Sequence, residues 1–290
     1  MNLFEIIWTE MLRDAMPWAS QFFLAVTELG GSNAYLLILV IGFWAVNKRE
    51  TIVFGLIYLF SGAINFWLKG TFANPRPPVS DWLPGATASG YSLPSGHAQS
   101  STVVYSWLSI KLKKWWTTIA FITVILLVGI SRVYLGVHWL GDVLAGWAVG
   151  LLIVLALWRF ETPISTFLSR YSRDVLYLAL LCLGIVATII TELVFTAPGD
   201  DFGSTGGLII GFAIGLWLEG RYVNFATEAQ NGQRWRLVLR VIFGIGVVLI
   251  FMYGLPLFLP SETLFRLIRY AVVGFVGSFL WPLIFTRIGL

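Results

Sequence analysis

Charge is scarce in this sequence. Only 12% of its 290 residues are Asp, Glu, Lys or Arg, against 58% hydrophobic, and the mean hydropathy is +0.82. A soluble domain carries about a quarter charged residues, so that class is excluded. Cysteine is scarcer still. Cys182 stands alone, which rules out an internal disulfide, and its apolar surroundings read as inert packing. No acidic cluster offers a seat for Mg²⁺, and no His/Cys set has zinc spacing. Neither a metal nor a cofactor is therefore expected. A cleavable signal is not expected either. The first fifteen residues hold Glu5, Glu10, Arg13 and Asp14 instead of a basic stretch followed by an apolar run.

What the chain does have is apolar runs of bilayer length, about 20 residues each. Spans are expected at 33–47, 51–69, 95–112, 115–134, 138–158, 175–196, 204–219, 236–258 and 264–286. The fold expected is all-α, a polytopic transmembrane bundle of about nine spans. The segment before residue 30 is short and broken by Pro17. It reads as an interfacial or partly inserted helix over 1–32, with a full extra span as the alternative. Residues 33–160 then form one core and 161–290 a set of additional spans.

Orientation follows from the basic residues. One set of connections holds Lys48, Arg49, Lys111, Lys113, Lys114, Arg159, Arg170, Arg173, Arg221, Arg234, Arg236, Arg240 and Arg287, thirteen of the nineteen. The positive-inside rule makes that side cytoplasmic. Arg13, Lys69, Arg76, Arg132, Arg266 and Arg269 fall outside, with Asp200 and Asp201. The net charge of +4 thus reflects topology and gives no reason to expect nucleic acid. Localisation in a bacterial inner membrane, with the site facing outward, is expected; the eukaryotic equivalent is the endoplasmic reticulum with a lumenal site.

Three of those outer cations share their side with both histidines of the chain. The first patch is KGTFANPRP, in which Lys69 ends a span and Arg76 is fixed between Pro75 and Pro77. The second is PSGH, where Pro94 stops the preceding backbone and Ser95 and Gly96 open a helix ahead of His97. A helix start presents free N–H groups to an anion. The third is SRVYLGVHWLGD. Asp142 follows His138 by four residues, on one helical face. Its carboxylate can hold one imidazole nitrogen and leave the other as nucleophile or base. Arg132 approaches from the neighbouring helix. Cations and N–H donors about one point describe a phosphate site.

These three motifs, in order and without departure at the named positions, resemble the signature of the type 2 phosphatidic acid phosphatase superfamily. That superfamily includes lipid phosphate phosphatases, undecaprenyl pyrophosphate phosphatases, sphingosine-1-phosphate phosphatases, glucose-6-phosphatase and the vanadium haloperoxidases. The resemblance covers residues 69–142 and implies a haloperoxidase-like helical core over roughly 30–160. It further implies that His138 attacks phosphorus to form a phosphohistidine and that Asp142 orients it. His97 then protonates the leaving oxygen and activates water, while Lys69, Arg76, Ser95, Gly96 and Arg132 hold the phosphoryl oxygens. The partners implied are a lipid phosphate and the bilayer. The layout is similar to that of glucose-6-phosphatase and the sphingosine-1-phosphate phosphatases.

The expected activity is metal-independent hydrolysis of a phosphomonoester or pyrophosphate on a membrane lipid at the outer face. A phosphotransferase using the same intermediate is the alternative, and a non-enzymatic lipid transporter on the same scaffold is a third reading. The motifs do not choose among lipid phosphates. In the C-terminal half, Gly207, Gly211 and Gly215 recur every four residues, a seam for close helix packing. Glu192 and the Arg266/Arg269 pair are its polar exceptions, read as snorkelling or helix pairing. The stretch from Pro78 to Leu93 is expected as a loop or short interfacial helix near the site mouth.

Overall fold

The computed structural model describes residues 2–195, 202–228, 233–260 and 262–290; Asp200 and Asp201 lie outside them. Every regular element among the described residues is helical. In chain order they are α1 (Ile7–Ala15), α2 (Ser20–Glu28), α3 (Ser32–Ile41, continued by a π turn Gly42–Val46) and α4 (Lys48–Phe72). There follow α5 (Gly96–Leu112), α6 (Trp115–Tyr134), α7 (Leu140–Leu168) and α8 (Arg173–Val194). The last are α9 (Gly203–Tyr222), α10 (Arg234–Gly254), α11 (Thr263–Phe275) and α12 (Trp281–Arg287).

Among the described residues, six helical stretches are long and apolar enough to cross a membrane, or seven if α2 and α3 form one span bent by 43°. The expected count of nine goes beyond the stretches that meet this test. Helix α5 has only 17 residues, and it buries Gln99, Ser101 and Thr102 among its apolar neighbours. Neither it nor the glycine-rich α9 is among the six. The reading of Cys182 is corrected: it is exposed on α8, a helix with little of its surface covered by protein.

The chain divides into two compact units. The first comprises residues 1–36, 56–161 and 195–200. Its helix ends are set by local chemistry. α5 starts directly after Ser95, and it ends where Lys113 turns left-handed at φ +53°. α6 ends just ahead of Gly136, at φ +74°. α5 and α7 touch at two glycines. A Cβ on Gly146 would lie 2.7 Å from the Ser95 carbonyl, and one on Gly150 would lie 2.8 Å from that of Gln99. The backbone that opens α5 is thereby brought against the first turns of α7.

The N-terminal helices pack on α6 and tie down its end. Thr9 Oγ1 donates to the Val133 carbonyl (2.9 Å), Arg13 Nε to that of Tyr134 (2.9 Å), and the Tyr134 hydroxyl to that of Met16 (2.9 Å). The break between α1 and α2 falls at Met16–Ala19, around Pro17, as the proline requires.

The second unit comprises residues 37–55, 162–194 and 201–290. Its centre is the packing of α9 on α11. A Cβ on Gly207 would strike the Leu267 carbonyl, and one on Gly211 that of Ala271. The four-residue glycine seam is therefore a helix contact. Lys48 and Glu219 form an ion pair at 2.6 Å, with Glu219 almost fully buried. Arg240 donates to the carbonyls of Trp44 (2.9 Å), Ala226 (3.0 Å) and Leu290 (2.7 Å). Glu192 accepts from the backbone N–H of Phe202 (2.8 Å), at the start of α9.

Candidate active site

His138 stands in the link between α6 and α7. A Cβ at Gly136 would run into the Asp81 carbonyl, and its φ is left-handed, so the turn requires glycine on both counts. The chain then enters α7 at Leu140, so Asp142 lies in its first turn and His138 lies before the helix, not on one helical face with it as the spacing predicted. Both are buried, at 2% and 0% exposure.

The Nδ1 of His138 lies 3.3 Å from Asp142 Oδ2. That carboxylate also accepts from the Trp139 N–H (2.8 Å), from Asn74 Nδ2 (3.4 Å) and from the Ser92 hydroxyl. The other ring nitrogen, Nε2, lies 3.0 Å from Nη1 of Arg76. A guanidinium can only donate. Nε2 is therefore the acceptor, and the ring proton sits on Nδ1 facing the carboxylate. The lone pair at Nε2 points into the cationic cluster.

Arg76 is held at every nitrogen. Nε donates to the Gly90 carbonyl (2.9 Å), Nη1 to that of Val137 (2.8 Å) and Nη2 to that of Ser89. Arg132 is buried at 4% exposure, with Nη1 on Thr27 Oγ1 (2.8 Å) and Nη2 on the Thr87 carbonyl (3.4 Å). Thr87, Ser89, Gly90 and Ser92 all belong to the 78–93 segment. That segment is a loop with a short 3-10 helix at Val79–Asp81, and it holds two of the cations by its carbonyls. Lys69 lies near the end of α4 and is buried at 8% exposure.

Ser95 is fully buried, and its N–H donates to the Asp142 carbonyl (2.9 Å). Gly96 begins α5, with space for a Cβ limited by Asn65 Oδ1 at 3.1 Å. His97 follows, half-buried, within electrostatic reach of Arg132, Lys69 and Arg76. Burial pushes the His138 imidazole well below its ordinary pKa, and the charges of Arg76, Arg132 and Lys69 push it further. His138 is thus neutral at pH 7. All eight residues named from the three motifs lie in the first unit.

Two buried donors in this cluster lack a hydrogen-bond partner: Ser95 Oγ and Arg132 Nε. Native structures leave few such groups, and each calls for a reason. An anion among them would satisfy both. Among the described residues, no group of three or more His, Cys, Asp or Glu is placed to hold a metal ion.

The motifs alone do not identify the supporting residues. Ser92 and Asn74 bond the carboxylate, and Thr27 bonds Arg132 from a helix distant in sequence. Asn65 donates to Gln99 Oε1 (2.8 Å) and to the Pro94 carbonyl (3.3 Å), while Gln99 donates to the Ser61 carbonyl (2.8 Å). This buried amide chain braces the start of α5. A signal for it existed, because amides inside apolar spans are costly and need partners.

The profile of the PAP2 superfamily matches residues 50–166, the stretch holding every motif residue, and the profile of the PAP2 superfamily phosphatase, transmembrane extension, matches 203–290. Phosphatidylglycerophosphatase B of Bacillus subtilis (strain 168) is 34% identical over 172 residues, covering 53% of this chain and 81% of that protein. Sphingosine-1-phosphate phosphatase 1 of Rattus norvegicus is 24% identical over 315 aligned positions, covering 91% of this chain and 71% of that protein. The crystal structure of a transmembrane PAP2 type phosphatidylglycerolphosphate phosphatase from Bacillus subtilis overlaps with a TM-score of 0.44 and 29% identity, over 51% of this chain and 79% of that chain. The chain belongs to the PAP2 superfamily. It is an integral membrane phosphatase, a phosphoric ester hydrolase.

Proposed function

We propose that this phosphatase hydrolyses a phosphomonoester or pyrophosphate on a membrane lipid through a phosphohistidine, without a metal ion. The observation that carries the reading is the His138 ring, with Nδ1 turned to Asp142 and Nε2 turned to Arg76. The Nε2 lone pair attacks phosphorus, and the bond from phosphorus to the lipid oxygen breaks. His97 gives that oxygen a proton. It then takes one from water, whose oxygen attacks the phosphohistidine and releases inorganic phosphate. Asp142 keeps the Nδ1 proton in place and balances the positive charge on the ring.

Lys69, Arg76, Arg132, Ser95 and the Gly96 N–H are the proposed phosphoryl ligands. Arg76 Nη1 stands where the phosphoryl group must approach Nε2. An entering phosphate accepts that donor and leaves the lone pair to react. The two unpartnered donors, Ser95 Oγ and Arg132 Nε, support an anion in this position.

The names of the relatives support a lipid phosphomonoester as substrate, either a glycerophospholipid phosphate or a sphingoid phosphate. A bundle of about nine spans with the site outward remains the proposed topology, its orientation supported by the basic-residue asymmetry. Residues 33–160 are the proposed catalytic core, and 161–290 additional spans without an assigned role. The test is phosphate release from a panel of lipid phosphates in detergent containing EDTA. Release from one lipid class is expected; no release from any of them overturns the proposal. A tag in the 78–93 loop should label from outside the cell, and labelling only from the cytoplasm overturns the topology.

A further inference from the structure

The second unit contains a cavity of about 230 Å³ that the reaction does not use. It is lined by Arg266, Arg269 and Tyr270 of α11, by Ser204 in the first turn of α9, and by Met252 and Pro256 where α10 ends. The two arginines are three residues apart, so they share a helix face. The Nε of Arg269 is buried without a hydrogen-bond partner. The described lining includes two guanidiniums, two hydroxyls and no carboxylate. Beside Pro256, Leu257 and Phe258 are 80% and 84% exposed. These are apolar surfaces at the end of a membrane-length helix.

We infer that this cavity is a second anion site, for the tetrahedral phosphate of a membrane lipid headgroup, separate from the catalytic cluster. Two arginine forks and two hydroxyls suit phosphate oxygens. The buried Nε of Arg269 has no hydrogen-bond partner, and an anion in the cavity supplies one. Met252 and Pro256 provide an apolar wall that leads to Leu257 and Phe258, where acyl chains would lie. Free phosphate offers the same oxygens but gains nothing from that wall.

The full chain carrying His138→Ala, so that the probe is not consumed, is placed in phosphatidylcholine nanodiscs. One arm adds phosphatidic acid with a photoreactive acyl chain, and adducts are mapped by peptide. Adducts are expected on 252–258 and 264–273. Arg269→Gln and Arg266→Gln should each lower them about tenfold, the effect of losing a charge-assisted contact. Arg269→Lys should retain a substantial part. The second arm adds inorganic phosphate as competitor: weak protection supports the headgroup, and full protection at equal concentration assigns the site to free phosphate instead. Adducts confined to 69–142, or unchanged by either glutamine variant, overturn the inference. Helicity and melting temperature in phosphatidylcholine alone check that the variants fold. Labelling does not depend on the phosphohistidine, so this test can fail while the catalytic reading stands, and the reverse.

Discussion

Arg76 and His138 meet at 3.0 Å, guanidinium Nη1 to imidazole Nε2, with Asp142 on the ring's far side. A permanent donor opposite Nε2 fixes the tautomer from one side, and the carboxylate fixes it from the other. Nε2, the proposed nucleophile, is therefore unprotonated at rest, and the group that faces it is a proposed phosphate ligand.

The proposed mechanism divides the labour between the two histidines. His138→Ala should remove turnover and all acid-labile, base-stable label on the protein after brief exposure to labelled substrate. His97→Ala should lower turnover by ~10²–10⁴, the usual contribution of a general acid–base group. With a good leaving group it should still form the phosphoenzyme, which then persists. Label in His138→Ala but not in His97→Ala would reverse the two roles.

Asp142→Asn should keep the fold and lose much of the rate, since an amide offers the Nδ1 proton a weaker acceptor. Ser92→Ala removes one donor from the same carboxylate. Its expected cost is about 1–3 kcal/mol of stability, that of breaking a buried hydrogen bond. Rate should fall less than in Asp142→Asn. Equal rates for Ser92→Ala and wild type, at unchanged melting temperature, would remove Ser92 from the positioning set.

Metal and inhibitor form a third test. In the proposed mechanism Lys69, Arg76 and Arg132 supply the positive charge at the phosphate, so activity should persist in EDTA. Vanadate, which mimics five-coordinate phosphorus, should inhibit. Activity that is lost in EDTA and restored by Mg²⁺ would contradict the site chemistry.

Stability should fall with acid because of His138. Its folded pKa lies below the ordinary imidazole value of about 6.5. Below that value the unfolded chain binds a proton that the folded chain refuses, so unfolding gains. The contribution is therefore present above about pH 6.5 and is lost as pH falls toward the depressed folded value. Melting temperature measured from pH 7 downward should drop, and His138→Asn should flatten part of that drop. An equally steep decline in the variant would assign the effect elsewhere.

The glycine seam of the second unit gives a paired test. Gly211→Ala drives a methyl into the Ala271 carbonyl and should destabilise by about 1–3 kcal/mol. Gly220→Ala meets nothing within 4 Å and should be neutral or stabilising by up to about 1 kcal/mol. Equal thermal shifts for the two would refute the close α9–α11 contact.

The sequence by itself determined the helical class, the apolar segments and the three motifs. Long hydrophobic runs admit only helices there, because a bilayer offers no partner for free backbone groups. The four-residue spacing predicted that His138 and Asp142 would meet; they do, but with His138 in the link ahead of α7 instead of on its face. Helix starts at Ser95 and Gly96 followed from Pro94. Tertiary structure decided what spacing cannot encode. Thr27 reaches Arg132 across 105 residues, and Arg13 crosses 121 to reach the Tyr134 carbonyl. Such contacts depend on how helices pack, and packing is set by shape over the whole surface. The carbonyls that hold Arg76 come from an irregular loop with no periodicity to read. The span count also depended on the structure. α5 buries Gln99 against Asn65 and Ser61, so its polar residues serve packing within the protein, and hydropathy alone cannot tell that use from exposure to water.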